Sequence, residues 1–138
     1  MPNINEISTA VYRFLKTDAE LAVMGTLYKG AKRPVKAKNP SLTVEARRLE
    51  PGQGEGIWMC DVAVTVYVDV LADGAPDSLL LESIVSRVHQ ALADREIEME
   101  GSKAMPLIEG ENSGPEWQSA HEREVYQESV FGLVFVKF

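Results

Sequence analysis

The chain has 138 residues, 45% hydrophobic and 25% charged, which suits one folded domain and excludes a disordered tail or a fibrous repeat. Fourteen basic residues against twenty-one acidic ones leave a formal net charge of -7, which argues against free binding to duplex nucleic acid or anionic membrane as the main role. The charge is uneven. Between Lys29 and Arg48 stand Lys29, Lys32, Arg33, Lys36, Lys38, Arg47 and Arg48 against one anion, Glu45, so this stretch carries +6 and the remainder -13. One positive and one negative surface are expected.

The first fourteen or so residues space Ile4, Ile7, Val11, Phe14 and Leu15 as one helical stripe. Asn3 followed by Glu6 has the form of a capping box, and Thr17 with Glu20 repeats it. A helix ending near Lys16 and a short second one over 18–24 are predicted, with Gly25 as the stop.

Residues 29–40, KGAKRPVKAKNP, carry two prolines and no periodic apolar pattern, and are predicted to be an exposed loop or arm. A strand over 41–49 follows, then a glycine-rich hairpin loop at 50–56. The next run places Trp58, Cys60, Val62, Val64, Val66, Val68 and Val70 on alternate positions, a long strand over 57–71 with one face on a core. Fifteen extended residues span roughly 50 Å, whereas a globule of this size has a radius of gyration of about 14 Å. The strand must bend at a bulge, or its hairpin must project.

Pro76 and Asp77 suit a helical first turn, after which Leu81, Ile84, Val85, Val88 and Leu92 form a second stripe that should cover the valine face. REIEME at 95–100 alternates charge with Ile97 and Met99 as a short edge strand does, and a further extended piece is predicted over 104–109. GENSGPEW at 110–117 reads as a loop, and 122–138 as a closing strand whose run VFGLVFV suits cover on both faces. The expected fold is α+β: two layers, a mainly antiparallel sheet packed against two main helices, with a long β-hairpin, in a single domain spanning 1–138.

Candidates for chemistry are few. The lone Cys60 lies in the apolar register, which favours a core cysteine over a nucleophile. No spacing ties His89 or His121 to a nucleophile, and one cysteine with two histidines cannot complete a structural zinc site. Asp94, Glu96, Glu98 and Glu100 read as a solvated strand face, and Asp69, Asp73 and Asp77 straddle a strand end, a turn and a helix start. No phosphate-binding, dinucleotide, hydrolase-elbow or metalloprotease motif occurs. No catalytic, cofactor-binding or metal residue is therefore assigned, and no cofactor is expected. No signal peptide or membrane-crossing run is apparent, and the unpaired cysteine suits a reducing compartment.

The basic segment remains, either as a solvated loop or as a contact for an acidic protein surface or DNA phosphates. Lys29, Lys32, Arg33, Lys36, Lys38, Arg47 and Arg48 are the candidate assembly residues. Trp117 joins them as a possible interface anchor that could equally belong to the core.

Taken together, the opening helix INEISTAVYRFL, the short DAELAVM segment, the strand WMCDVAVTVYVDV, the helix LLLESIVSRVHQAL and the closing strand EREVYQESVFGLVFVKF resemble the tail-terminator (tail-completion, minor tail protein) family of long-tailed bacteriophages and prophages. The resemblance covers nearly the whole chain and rests on architecture, not on an invariant motif. It implies a non-enzymatic homo-oligomer, typically a hexameric ring, that caps the tail tube, ends its polymerisation and meets the head connector. Expected partners are other copies, the major tail tube protein and the head-tail connector protein, with DNA passing the lumen as a further contact and no membrane. The expected location is the virion tail, assembled in the bacterial host cytoplasm. A ring of heterologous contacts needs two different complementary patches on each subunit, which an uneven charge distribution can supply. Two alternatives stay open: a neck or connector protein of similar topology, and a small ligand-binding α+β domain.

Overall fold

The computed structural model describes residues 3–30, 34, 37–51, 57–69, 71–73, 75, 77–92, 97–99, 102–108, 116–120 and 123–137. The chain forms helix α1 (Ile4–Lys16), helix α2 (Ala19–Met24), strands β1 (Thr26–Lys29), β2 (Ser41–Pro51) and β3 (Ile57–Asp69), helix α3 (Ser78–Leu92), and strands β4 (Ile97–Met99), β5 (Ser102–Ile108), β6 (Glu116–Ala120) and β7 (Arg123–Lys137). All seven strands join one sheet in the order β1-β2-β3-β7-β5-β4, with β6 pairing a further stretch of β7. Every pairing is antiparallel except β1 with β2.

Helix α1 starts where the capping box predicts: the Asn3 side chain takes a first-turn amide and the Asn3 amide reaches Glu6. Ile7, Val11 and Leu15 are buried, but Ile4, expected on the same stripe, is exposed in the first turn. The second cap is Asp18, not Thr17. Thr17 closes α1, its hydroxyl donating to the Phe14 carbonyl, while the Asp18 carboxylate accepts the Leu21 amide at 2.8 Å. The α2 helix stops at Gly25, where the backbone is extended and a β-carbon would meet the Pro40 carbonyl oxygen at 3.0 Å and Leu42 Cδ1 at 3.1 Å. Close approach, not handedness, favours glycine there.

No strand is expected at 26–29, because four residues are too few to show a period. They nevertheless pair in parallel with Ser41–Val44. A parallel neighbour requires the chain to return to the start of β2 before it pairs. Gly30 leaves β1 with φ of 111°, donating to the Val44 carbonyl at 2.8 Å.

The long strand bends, as its length requires. The β2–β3 register shifts between Ala46 and Arg48, and the β3–β7 register between Asp61 and Val64. The first shift makes Arg47 the extra residue and exchanges odd for even positions along β2. Leu42, Val44 and Ala46 face the core before it, and Leu49 faces the same core after it, opposite Cys60. Leu71, expected within the strand, stands outside β3 (Ile57–Asp69). Beyond it Leu71 and Ala75 form a hydrogen-bonded turn, and the Asp69 carbonyl accepts the Asp77 amide.

Helix α3 begins at Ser78 with Asp77 as the residue before it, accepting the Leu80 amide through its carboxylate and the Leu81 amide through its carbonyl. Leu81, Ile84, Val85, Val88 and Leu92 are all buried in one cluster with Val62, Val64, Val66 and Val68. Helix α3 lies over β3 and β7, while α1 touches β1 and β2 near one edge and β4 at the other. The sheet therefore curves about its helices, and Ile97 of β4 enters the same core as Ile7 of α1. One-sided burial of β3 proves too narrow: Ala63, Thr65 and Tyr67, on the opposite face, are buried as well. Strand β3 has partners on both sides along its length, which leaves it little edge to expose.

The α+β class, the antiparallel sheet and the edge position of β4 agree with the sequence. The residues 110–117 do not form one loop, since Glu116–Ala120 pairs with Arg123–Gln127 as strand β6. The loop expected at 50–56 starts later, since Glu50 and Pro51 still pair with Met59 and Trp58 in β2; its remainder, 52–56, and the two-sided cover expected for the closing strand lie outside the described residues and side chains.

Candidate assembly interface

The candidate cations are divided by the fold. Lys29 belongs to β1, not to the loop, and sits opposite Val44 on the helix-bearing face. Its ammonium donates to Asn5 Oδ1 at 3.2 Å and Thr9 Oγ1 at 3.0 Å, one turn apart on α1. Arg47 and Arg48 stand at the β2 bulge, both exposed, with Arg48 opposite Asp61. Arg47 Nε donates to Glu45 at 3.2 Å and Arg48 pairs with Glu50 at 3.3 Å. Such exposed pairs add little stability, but they neutralise the arginines locally. Residues on the Arg48–Glu50 side lie across the sheet from Lys29, so the +6 stretch is not one patch.

Lys38 is exposed beside a polar clamp. Asn39 Nδ2 donates to Asp69 Oδ1 at 2.8 Å, and Ser41 Oγ donates to Asn39 Oδ1 at 3.0 Å. Ala37 is buried and its amide meets the Pro34 carbonyl at 2.9 Å. The segment joining β1 to β2 is thus held at both ends, and part of it packs against the body. Lys32, Arg33 and Lys36 lie outside the described residues. The Trp117 backbone stands opposite Tyr126 in the β6–β7 pair, and its side chain is outside the described set.

The strongest charge contact escaped the sequence. Arg87 of α3 grips Asp18 with two donors, Nε to Oδ1 at 3.1 Å and Nη2 to Oδ2, while Nη1 reaches Glu20 at 3.4 Å and Gln90 at 3.3 Å. The guanidinium hydrogen bonds hold the Asp18 carboxyl below its ordinary 3.8, burial acting the other way. One carboxylate thereby caps α2 and ties it to α3. Nothing local could reveal this, because the partners are 69 residues apart.

Cys60 is buried and desolvation pushes its thiol to about 11. Asp73 and Asp77 each accept a local backbone hydrogen bond, whereas Asp69 accepts from Asn39, so the three serve separate contacts. His89 sits half-buried on α3, and His121 lies outside the described residues. Among the described residues no group of three or more His, Cys, Asp or Glu could hold a metal ion, and no helix is long and apolar enough to cross a membrane.

With this geometry in view, the fold has a counterpart among solved structures. A chain in the virion of a native gene transfer agent particle superposes with a TM-score of 0.66 at 15% identity, covering 96% of this chain and 95% of that one. At that identity the likeness is one of fold. No protein-family model matches the sequence, and no curated protein matches it either.

Proposed function

We propose that this protein is a non-enzymatic structural component of a phage-like particle, a tail terminator whose ring ends tail-tube polymerisation and joins the tail to the head connector. The observation that carries the reading is the fold shared over nearly the full length of both chains with a protein of a gene transfer agent virion. A hexameric homo-oligomer meeting the tail tube protein on one side and the connector on the other is the arrangement proposed, in the virion tail and assembled in the host cytoplasm.

Light scattering over a concentration series, with and without purified tail tubes, tests it. A species near six subunits that copurifies with tubes is expected, and particles lacking the protein should carry tails of irregular length. A protein that stays monomeric beside tail tubes, or that copurifies with portal complexes and leaves tail length unchanged, would overturn the terminator reading. Reversing Lys32, Arg33 and Lys36 to Glu should preserve folding and impair assembly, and normal infectivity in that variant would remove the basic segment from the interface.

A further inference from the structure

We infer that two copies of this chain meet by inserting Leu79 of one into an apolar pocket at the junction of α1, α2 and β1 of the other. The pocket has a volume of about 260 Å³ and is lined by Leu15, Leu21, Ala22, Leu27 and Lys16, among others. Leu15 and Leu21 are fully buried and form its floor, while Ala22 and Lys16 are exposed at its lip. An apolar cavity of about 150 Å³ already holds a benzene-sized group, so a leucine side chain fits with room for its flanks.

The complementary knob is Leu79. It stands in the first turn of α3, 80% exposed, and does not line the pocket of its own chain. An exposed apolar residue alone needs no explanation. Its surroundings make this one specific. Glu82, three residues on and exposed, shares its helix face, and Asp77 precedes it. A leucine with the Glu82 carboxylate beside it thus matches an apolar pocket with one ammonium at its lip, that of Lys16, which rests 5.2 Å from the Tyr12 ring centre. Among the described residues neither Lys16 nor Glu82 makes an ion pair within the chain.

Knob and pocket are different surfaces, so the contact is heterologous: each copy offers one of each, and repetition gives a closed ring or an open filament according to the rotation between copies. The inference rests on the ring reading only for closure, and it commits to a second copy as the occupant because both halves of the contact are carried by this chain.

Paired cysteine variants test it in the full-length protein, with native Cys60 retained because it is buried. Leu79→Cys and Ala22→Cys chains, mixed under mild oxidation, should give a cross-linked dimer that neither variant forms alone. Leu79→Asp, which places a carboxylate favourably in a helical first turn, should stay folded and weaken self-association more than tenfold. Lys16→Glu and Glu82→Lys should each weaken it several-fold, and the two in one chain should restore it. Cross-linking by Leu79→Cys alone, or no cross-link while light scattering still shows the oligomer, would overturn the contact and leave the ring reading intact. A chain monomeric at every concentration, uncross-linked in the mixture, overturns the contact as well, and the ring reading then stands or falls on the tail-tube experiment.

Discussion

The buried hydroxyl of Ser8 accepts the amide of Ala46 at 3.0 Å. Strand β1 ends opposite Val44, so the next edge amide of β2 has no strand to meet, and α1 supplies the acceptor in its place. Lys29 strengthens the same junction by donating to Asn5 and Thr9. Helix and strand together thus complete one edge of the sheet at the point where the β2 bulge begins.

Ser8→Ala leaves that buried amide without an acceptor, a loss of about 1–3 kcal/mol. Urea unfolding should show a lower midpoint at unchanged slope, with Ser8→Thr retaining part of the difference. Equal midpoints for wild type and Ser8→Ala would mean that the amide finds another partner.

The Asp18–Arg87 contact sets an acid limb. Because the folded-state value of Asp18 is lowered, its contribution is complete above about pH 5 and is lost as the pH falls below 3.8 through the lowered value. Asp18→Asn should therefore be less stable at pH 7 yet lose less on acidification, and Asp18→Ala should cost about 1 kcal/mol more for the missing cap. Thermal melts from pH 7 to pH 3 read the difference, and parallel curves for wild type and Asp18→Asn would contradict it.

Cys60 titrates the other way. Its folded-state value is raised from 9.0 to about 11, so its contribution is full below pH 9 and is lost as the pH climbs through 11. At pH 8 the native thiol should react with an aromatic disulfide only as fast as the protein opens, and denaturant should accelerate the reaction by orders of magnitude. Prompt labelling of the native protein would show that the thiol is accessible.

Gly25→Ala should destabilise the chain even though its backbone, with φ of -173°, is ordinary extended structure. The new methyl meets backbone oxygen of Pro40 and the Leu42 side chain, a crowding cost of about 1–3 kcal/mol. Calorimetry should show a melting point lower by several degrees. An unchanged value would mean that the 37–41 segment moves aside at no cost.

Much of the fold was legible because it is written in local periods. The stripe of α3, the valine alternation of β3 and the Asn3–Glu6 box each needed only neighbouring residues to be recognised, and each recurs in the structure. The period also failed where the chain was too short or too irregular to show one. Strand β1 has four residues, and the bulge at Arg47 reverses the alternation that places Leu49 in the core.

The candidate interface was less legible, and the reason is geometric. Charge counted along the chain grouped Lys29 with Arg47 and Arg48, but the sheet sends them to opposite faces and surrounds the arginines with Glu45, Glu50 and Asp61. Composition and period by themselves determined the α+β class, two amphipathic helices and a core cysteine, since these follow from which side chains avoid water. Only the tertiary structure decided that Asp18 meets Arg87, that Lys29 meets Asn5 and Thr9 while Asn39 meets Asp69, and that a pocket opens beside α2 while Leu79 stands exposed on α3. Those relationships join residues far apart in sequence, and the distances between them exist only once the sheet has curved about its helices.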